Sequence, residues 1–236
     1  MTTKLLYMDD SYLKEFDAEV IDSGENWVVL DQTAFYPRGG GLPCDTGVIK
    51  WDSGEARVTR VLKEEGTVRH YLQEGTIPVG TRVHGVIDWD RRYRIMRTHT
   101  GLHVLIAVLN KMAGVLVTGN QIGLEESRVD VNLEKPDRSI VEEAISEANN
   151  VLRKGIEVKI YYMPREEAMK IPGIVKLANA LPPSVDTLRI VEIPGVDIQA
   201  DGGPHVRNTS EVGEIVFLRL KNKGRNNRRI YFAINP

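Results

Sequence analysis

The sequence lacks the features that mark disulfide-bonded, membrane-spanning, secreted and strongly basic proteins. A single cysteine, Cys44, in 236 residues excludes an internal disulfide and fits a reducing, cytoplasmic environment. No apolar run is long enough to cross a membrane, and the first ten residues lack the apolar core of a secretion signal. The formal net charge of −2 shows no overall basic bias toward nucleic acid, although it leaves room for a local basic patch.

Five histidines are present, and three of them lie in two short clusters. His99 and His103 are four residues apart, so on a helix both imidazoles share one face, about 5–6 Å apart at Cβ. Asp201 and His205 repeat this spacing in the glycine-rich run Asp201-Gly202-Gly203-Pro204-His205. Either pair alone is a weak signal, but together they predict one metal site. Zinc suits such a site because it accepts imidazole and carboxylate ligands.

The pattern of apolar residues divides the chain near Asp90. Residues 1–89 contain short alternating segments separated by glycine turns, typical of a small β-barrel. Residues 90–236 mix strands with two main helices: apolar residues recur at helical spacing from Ile95 to Met112, and Ser139 with Glu142 has the spacing of a capping box. We therefore expect an α+β fold, with a barrel domain over 1–89 and a mostly antiparallel α/β-sandwich domain over 90–236.

Two further features favour a polyanionic partner. The hairpin between two predicted strands contains Lys221, Lys223, Arg225, Arg228 and Arg229 without an acidic residue, and the run ending at Arg97 adds four arginines just before His99. Lysine and arginine bind phosphate backbones by releasing counterions, although most such runs are solvated surface. Gly39, Gly40 and Gly41 permit close approach of another chain or ligand, but a connecting loop explains them equally well.

These motifs resemble the AlaX family of free-standing alanyl-tRNA editing proteins, which are related to the editing domain of alanyl-tRNA synthetase. The resemblance rests on His99-Thr100-Gly101-Leu102-His103, on Asp201 to Asn208 and on the loop Tyr36 to Gly47, and it covers nearly the whole chain. The barrel before the histidines fits the medium-length type. Two residues depart from the family pattern: Asp201 replaces the usual cysteine, and Leu42 replaces the usual glutamine.

The resemblance implies a zinc-dependent hydrolase that deacylates Ser-tRNA(Ala), and in some members Gly-tRNA(Ala). It implies that His99, His103 and His205 bind Zn²⁺, with Asp201 either as the fourth ligand or as a nearby catalytic base. Thr118 matches a threonine implicated in recognising the serine hydroxyl. Substrate or tRNA binding is expected of Gly39–Gly41, Arg97, Lys221, Lys223, Arg225 and Arg228. Two alternatives remain: a tRNA-binding module with a structural zinc, and a zinc hydrolase for another substrate.

Overall fold

The computed structural model describes residues 3–133, 137–174 and 185–236. It divides into two compact units, Met1–Ile95 and Met96–Pro236, whereas the sequence predicts a boundary after residue 89. The fold is α+β with a barrel and antiparallel sheets, as the sequence predicts. None of its described helices combines the length and apolarity needed to cross a membrane.

The first unit is built around a closed barrel with antiparallel neighbours in the order β2-β3-β7-β6-β5-β8. Apolar residues alternate inward along these strands and form one continuous core, as expected for strands that bury one face. A short parallel pair, β1 with β4, lies outside the barrel order. The strands are β1 (Lys4–Leu5), β2 (Glu15–Gly24), β3 (Trp27–Leu30), β4 (Gln32–Thr33), β5 (Gly47–Trp51), β6 (Gly54–Glu64), β7 (Thr67–Leu72) and β8 (Arg82–Ile87).

The second unit contains a four-stranded antiparallel sheet in the order β14-β15-β10-β9 and a three-stranded antiparallel sheet in the order β11-β12-β13. Its strands are β9 (Val117–Gln121), β10 (Ser127–Val131), β11 (Lys159–Pro164), β12 (Thr187–Ile193), β13 (Asp197–Ala200), β14 (Glu214–Asn222) and β15 (Arg228–Asn235). Helix α1 (Trp89–Ala113) contains the boundary between the two units. The second unit also contains α2 (Arg138–Leu152) and α3 (Arg165–Ala168).

Helix α1 carries the first histidine pair and ends at Gly114, which takes φ +65°, the usual conformation after a helix terminus. Gly101 lies close to the four-stranded sheet, because a Cβ there would be 3.1 Å from Ile234 Cδ1. The capping-box prediction for α2 is wrong: Asp137 is the N-cap and accepts from the Ser139 and Ile140 amides. Aspartate is as good an N-cap as serine, and here it precedes the serine by two residues.

Candidate metal centre

His99, His103, Asp201 and His205 lie together in the second unit, with one ligand atom from each residue within 4.8 Å of all the others. Helix α1 supplies His99 and His103, and the loop after β13 supplies Asp201 and His205. The imidazole rings are close: the His99 and His205 centroids are 4.0 Å apart in a stacked pair. The structure thus brings together the four residues that the sequence predicts as ligands.

The three imidazoles present their Nε2 atoms to one carboxylate. The distances to Asp201 are 3.5 Å from His99, 3.7 Å from His103 and 3.4 Å from His205. Ligands of a tetrahedral zinc ion are separated by about 3.3–3.6 Å, given metal–ligand bonds of about 2.0–2.2 Å. The donor set and its spacing therefore fit Zn²⁺.

Each Nδ1 atom is held by a different partner. His99 Nδ1 donates to the Pro204 carbonyl at 3.2 Å, and His103 Nδ1 lies 3.0 Å from Asp197 Oδ2. His205 Nδ1 lies 3.0 Å from the Thr100 hydroxyl. Because carbonyls and carboxylates accept, His99 and His103 carry their Nδ1 protons, which leaves Nε2 as the nitrogen that could bind a metal.

Burial and charge act in opposite directions on these groups. Burial lowers the pKa of His99 to about 4 and also lowers the pKa of His205. For His103, burial is outweighed by hydrogen bonds to Asp197 and Asp201, which raise its pKa to about 9. Burial would raise the pKa of Asp201, but the three histidines hold it well below its usual range. A bound cation would replace protons as the partner of this carboxylate.

The glycine-rich loop allows this close approach. A Cβ on Gly203 would lie 2.6 Å from His99 Cε1, so any larger residue would displace the ring. Asp201 Oδ1 accepts from the Gly203 amide at 2.6 Å. The buried Arg189 guanidinium donates to the carbonyls of Asp201 and Gly203 at 2.8 and 3.0 Å. The loop is therefore held in place by a hydrogen bond within itself and by the Arg189 side chain of β12.

Sequence reasoning missed the residues behind the ligands, namely Asp197, Gln199, Thr100 and Arg189. For Asp197 and Gln199 a signal was present, because Asp197-Ile198-Gln199-Ala200-Asp201 places polar residues at every second position of a strand, and such residues share one face. Thr100 and Arg189 carry no comparable signal, because a threonine in a helix and an arginine in a strand are ordinary surface residues.

Thr118 lies on β9, where it is exposed, and its hydroxyl donates to Asn227 Oδ1 at 3.0 Å. Its recognition of a serine hydroxyl stays a prediction. Arg97 donates to the Val212 carbonyl through Nε at 3.0 Å and Nη2 at 2.7 Å, which occupies part of its guanidinium in joining α1 to the start of β14. An arginine used in this way has fewer donors left for a phosphate.

The basic residues of the hairpin fall into two groups. Arg228 is buried and donates within the turn, to the carbonyls of Gly224 and Asn227 at 2.7 and 2.9 Å, so it organises the loop. Arg229 forms a two-pronged ion pair with Asp130 at 2.7 and 2.8 Å. Lys221, Lys223 and Arg225 are exposed. These three are the cations best placed to meet a partner.

The predicted glycine loop lies in the first unit. Gly39 and Leu42 form an isolated bridge, and Gly40 and Gly41 take φ +57° and +85°, so the run makes a tight exposed turn that favours glycine. Leu42 is 3% exposed and belongs to the core. The loop is anchored by Asp45, which accepts from the Tyr36 amide at 2.6 Å and pairs with the buried Arg92.

Comparison with known proteins defines the class to which this fold and site belong. Residues 3–91 match the profile of class II (A) tRNA synthetases. Residues 188–231, which include Asp201 and His205, match the second additional domain of threonyl and alanyl tRNA synthetases. His99 and His103 lie between these two matches.

Full-length relatives identify the family. The chain is 51% identical to alanyl-tRNA editing protein AlaX-M of Saccharolobus solfataricus, over 99% of this chain and all of the relative. It is 43% identical to AlaX-M of Methanosarcina mazei, over 98% and 96% of the two chains. It is also 40% identical to alanine–tRNA ligase of Pyrococcus furiosus, over 98% of this chain but 26% of the ligase. The chain belongs to the AlaX-M family of alanyl-tRNA editing proteins.

Proposed function

We propose that the protein deacylates tRNA(Ala) mischarged with serine, and also with glycine, at a zinc site formed by His99, His103, Asp201 and His205. The observation that carries this proposal is the convergence of three Nε2 atoms on Asp201, at 3.4–3.7 Å. The full-length match to alanyl-tRNA editing proteins supports the substrate class. In this proposal the domain over residues 90–236 carries out the hydrolysis, and the domain over residues 1–89 contributes to substrate or tRNA binding.

The chemistry required of the site is modest, because an aminoacyl ester is already labile. When bound, Zn²⁺ would supply a Lewis acid that polarises the ester carbonyl or lowers the pKa of a water toward about 7. The chain's own residues position that centre: the Nδ1 contacts of the three histidines fix the ring orientations. Asp201, whose side chain is 23% exposed, is the member of the group open to substrate. In the alternative in which it lies beside the metal instead of binding it, it would be the base that takes the proton of the attacking water.

Discrimination between serine and alanine is the harder task. A hydrophobic pocket rejects a substrate that differs by one hydroxyl only weakly, whereas a polar group that needs the hydroxyl as a partner rejects alanine strongly. We assign this role to Thr118, whose hydroxyl can donate and accept. To serve serine, it would exchange its bond with Asn227 for one with the substrate.

The tRNA backbone would be bound by the exposed cations of the hairpin, Lys221, Lys223 and Arg225. Arg228 and Arg229 would contribute indirectly, since both are engaged within the protein. Exposed lysine and arginine near a turn can each neutralise a phosphate and release a counterion. We also assign substrate or tRNA binding to the Gly39–Gly41 turn of the barrel and to Arg97.

One observation favours the alternative of a tRNA-binding module with a structural zinc. Four protein donors complete a tetrahedron, and catalytic sites usually leave one position open. The donor types point the other way, because structural zinc sites are dominated by cysteine, and the four residues of this group include none. With Asp201 beside the metal as a base, the fourth position would be free for substrate.

Deacylation of Ser-, Gly- and Ala-tRNA(Ala), each with and without a chelator, tests the proposal. We expect hydrolysis of the serine and glycine esters, little hydrolysis of the alanine ester, and loss of both activities in chelator. Tight tRNA binding without hydrolysis of any ester would favour the binding module. Absence of tRNA binding together with a zinc-dependent esterase activity would favour another substrate.

A further inference from the structure

Strand β13 (Asp197–Ala200) and the residue after it place three polar side chains at alternate positions, Asp197, Gln199 and Asp201. Alternate residues of a strand share one face. Asp201 meets the Nε2 side of the histidines, whereas Asp197 lies behind His103, on its Nδ1 side. Strand β13 and the residue that follows it therefore contact both nitrogens of the same imidazole.

Asp197 is a buried carboxylate, with 1% of its side chain exposed. Its Oδ2 atom accepts from His103 Nδ1 at 3.0 Å and from Gln199 Nε2 at 2.7 Å. Burying a charged carboxylate is costly unless its hydrogen bonds are made. This carboxylate makes them with the imidazole and with its neighbour on the strand, so its position and that of the His103 ring depend on each other.

The other two histidines have weaker partners. His99 meets the Pro204 carbonyl, and His205 meets the Thr100 hydroxyl, and both of these groups are neutral. A bond to a carboxylate is shorter and about twice as strong as one between neutral groups. It also raises the basicity of the other ring nitrogen. His103 is therefore the imidazole whose metal affinity the protein reinforces most.

We propose that Asp197 is a positioning residue that orients His103 and strengthens it as a metal ligand, and that Gln199 holds Asp197 in place. This rests on the proposed zinc site. The matched variant is Asp197→Asn, which keeps the size and one acceptor oxygen but removes the charge. Zinc affinity, measured by competition with a chromogenic chelator, is expected to fall about 10–100-fold.

Gln199→Leu tests the same arrangement without touching His103 or Asp197. We expect a smaller loss of zinc affinity than for Asp197→Asn, because the carboxylate keeps its charge. Gln199 Nε2 also lies 3.4 Å from His103 Nδ1, but both nitrogens are donors there, so Gln199 acts on the ring through Asp197. The additional loss from Gln199→Leu should therefore be much smaller in an Asp197→Asn background. The same loss from Gln199→Leu in both backgrounds would contradict the proposal that Gln199 acts through Asp197.

Asp130→Asn is the control, because Asp130 is another buried carboxylate of this unit but pairs with Arg229 instead of a histidine. It should leave zinc affinity unchanged. Asp197→Asn with wild-type zinc affinity would overturn the proposal, whether or not the metal-free protein had lost thermal stability. Failure of the wild-type protein to bind zinc would instead overturn the proposed function, so the two failures are distinguishable.

Discussion

The barrel unit buries one histidine and the second unit buries three, and the two regions differ in what the second ring nitrogen meets. His70 lies in the barrel with Nε2 2.8 Å from the Thr33 hydroxyl and Nδ1 3.3 Å from the Val28 carbonyl. Both nitrogens of one neutral ring are thus engaged with uncharged neighbours. In the second unit each Nδ1 is also engaged, but each Nε2 faces Asp201.

This difference distinguishes a structural histidine from a candidate metal ligand. A buried neutral imidazole between a donor and an acceptor needs nothing further, because its hydrogen bonds are complete. Three imidazole nitrogens directed at one carboxylate concentrate electron-pair donors in a small volume. A metal cation stabilises such a group better than a proton does. Burial alone does not distinguish the two cases, since all four histidines are nearly inaccessible.

The largest expected effect comes from removing a ligand. His103→Ala should lose bound zinc, with a fall in affinity greater than the roughly 10–100-fold attributed to loss of an outer partner. Metal analysis of the purified protein measures this. His70→Gln in the barrel is the matched control and should keep its full zinc content. Full zinc retention in His103→Ala would remove the distinction between the two regions.

His70 should make the stability of the barrel unit depend on pH. Burial lowers the pKa of His70 to about 4, so below pH 6.5 the unfolded chain takes up a proton that the folded protein refuses. The free energy of unfolding should therefore fall as the pH drops from 6.5 to about 4, by up to about 1.4 kcal/mol per pH unit from this group.

Denaturant unfolding followed by tryptophan fluorescence measures this, because Trp27, Trp51 and Trp89 all lie in the first unit. The control is His70→Gln, whose stability should fall less steeply over the same range. Identical slopes for the two proteins would show that His70 is not held neutral by the barrel.

The basic hairpin should contribute to tRNA binding through charge. Replacing Lys221, Lys223 and Arg225 together by glutamine should lower the slope of log affinity against log salt by about 0.7–0.9 for each phosphate that is no longer neutralised. Filter binding at several salt concentrations measures the slope. Lys63→Gln, an exposed barrel cation, should leave it unchanged, and an unaltered slope in the triple variant would make the hairpin a solvated turn.

The smallest expected effect concerns Thr118. Thr118→Val keeps the volume and deletes the hydroxyl, so hydrolysis of Ser-tRNA(Ala) should fall by about 1–2 kcal/mol in transition-state stabilisation. Hydrolysis of Gly-tRNA(Ala), which offers no hydroxyl, should change little. Equal losses on both substrates, or none, would contradict this role and leave Thr118 as a partner of Asn227.

The sequence predicts the general fold and the grouping of the three histidines with Asp201 because both depend on local spacing. Histidines four apart share a helix face wherever the helix packs, and alternating apolar residues form strands in most contexts. The capping of α2 failed because Asp137 and Ser139 are both good N-caps, and spacing alone does not choose between them. Asp197 was missed because its contact with His103 joins residues 94 positions apart in the sequence. Such contacts are decided by tertiary packing.

Titrating metal-stripped protein with Zn²⁺ while measuring deacylation of Ser-tRNA(Ala) shows whether the histidine group holds a metal required for hydrolysis. We expect activity to be absent at the start, to rise in proportion to added zinc and to reach its plateau at one zinc per chain. Full activity in the stripped protein would contradict this expectation. So would stoichiometric zinc binding without any rise in activity.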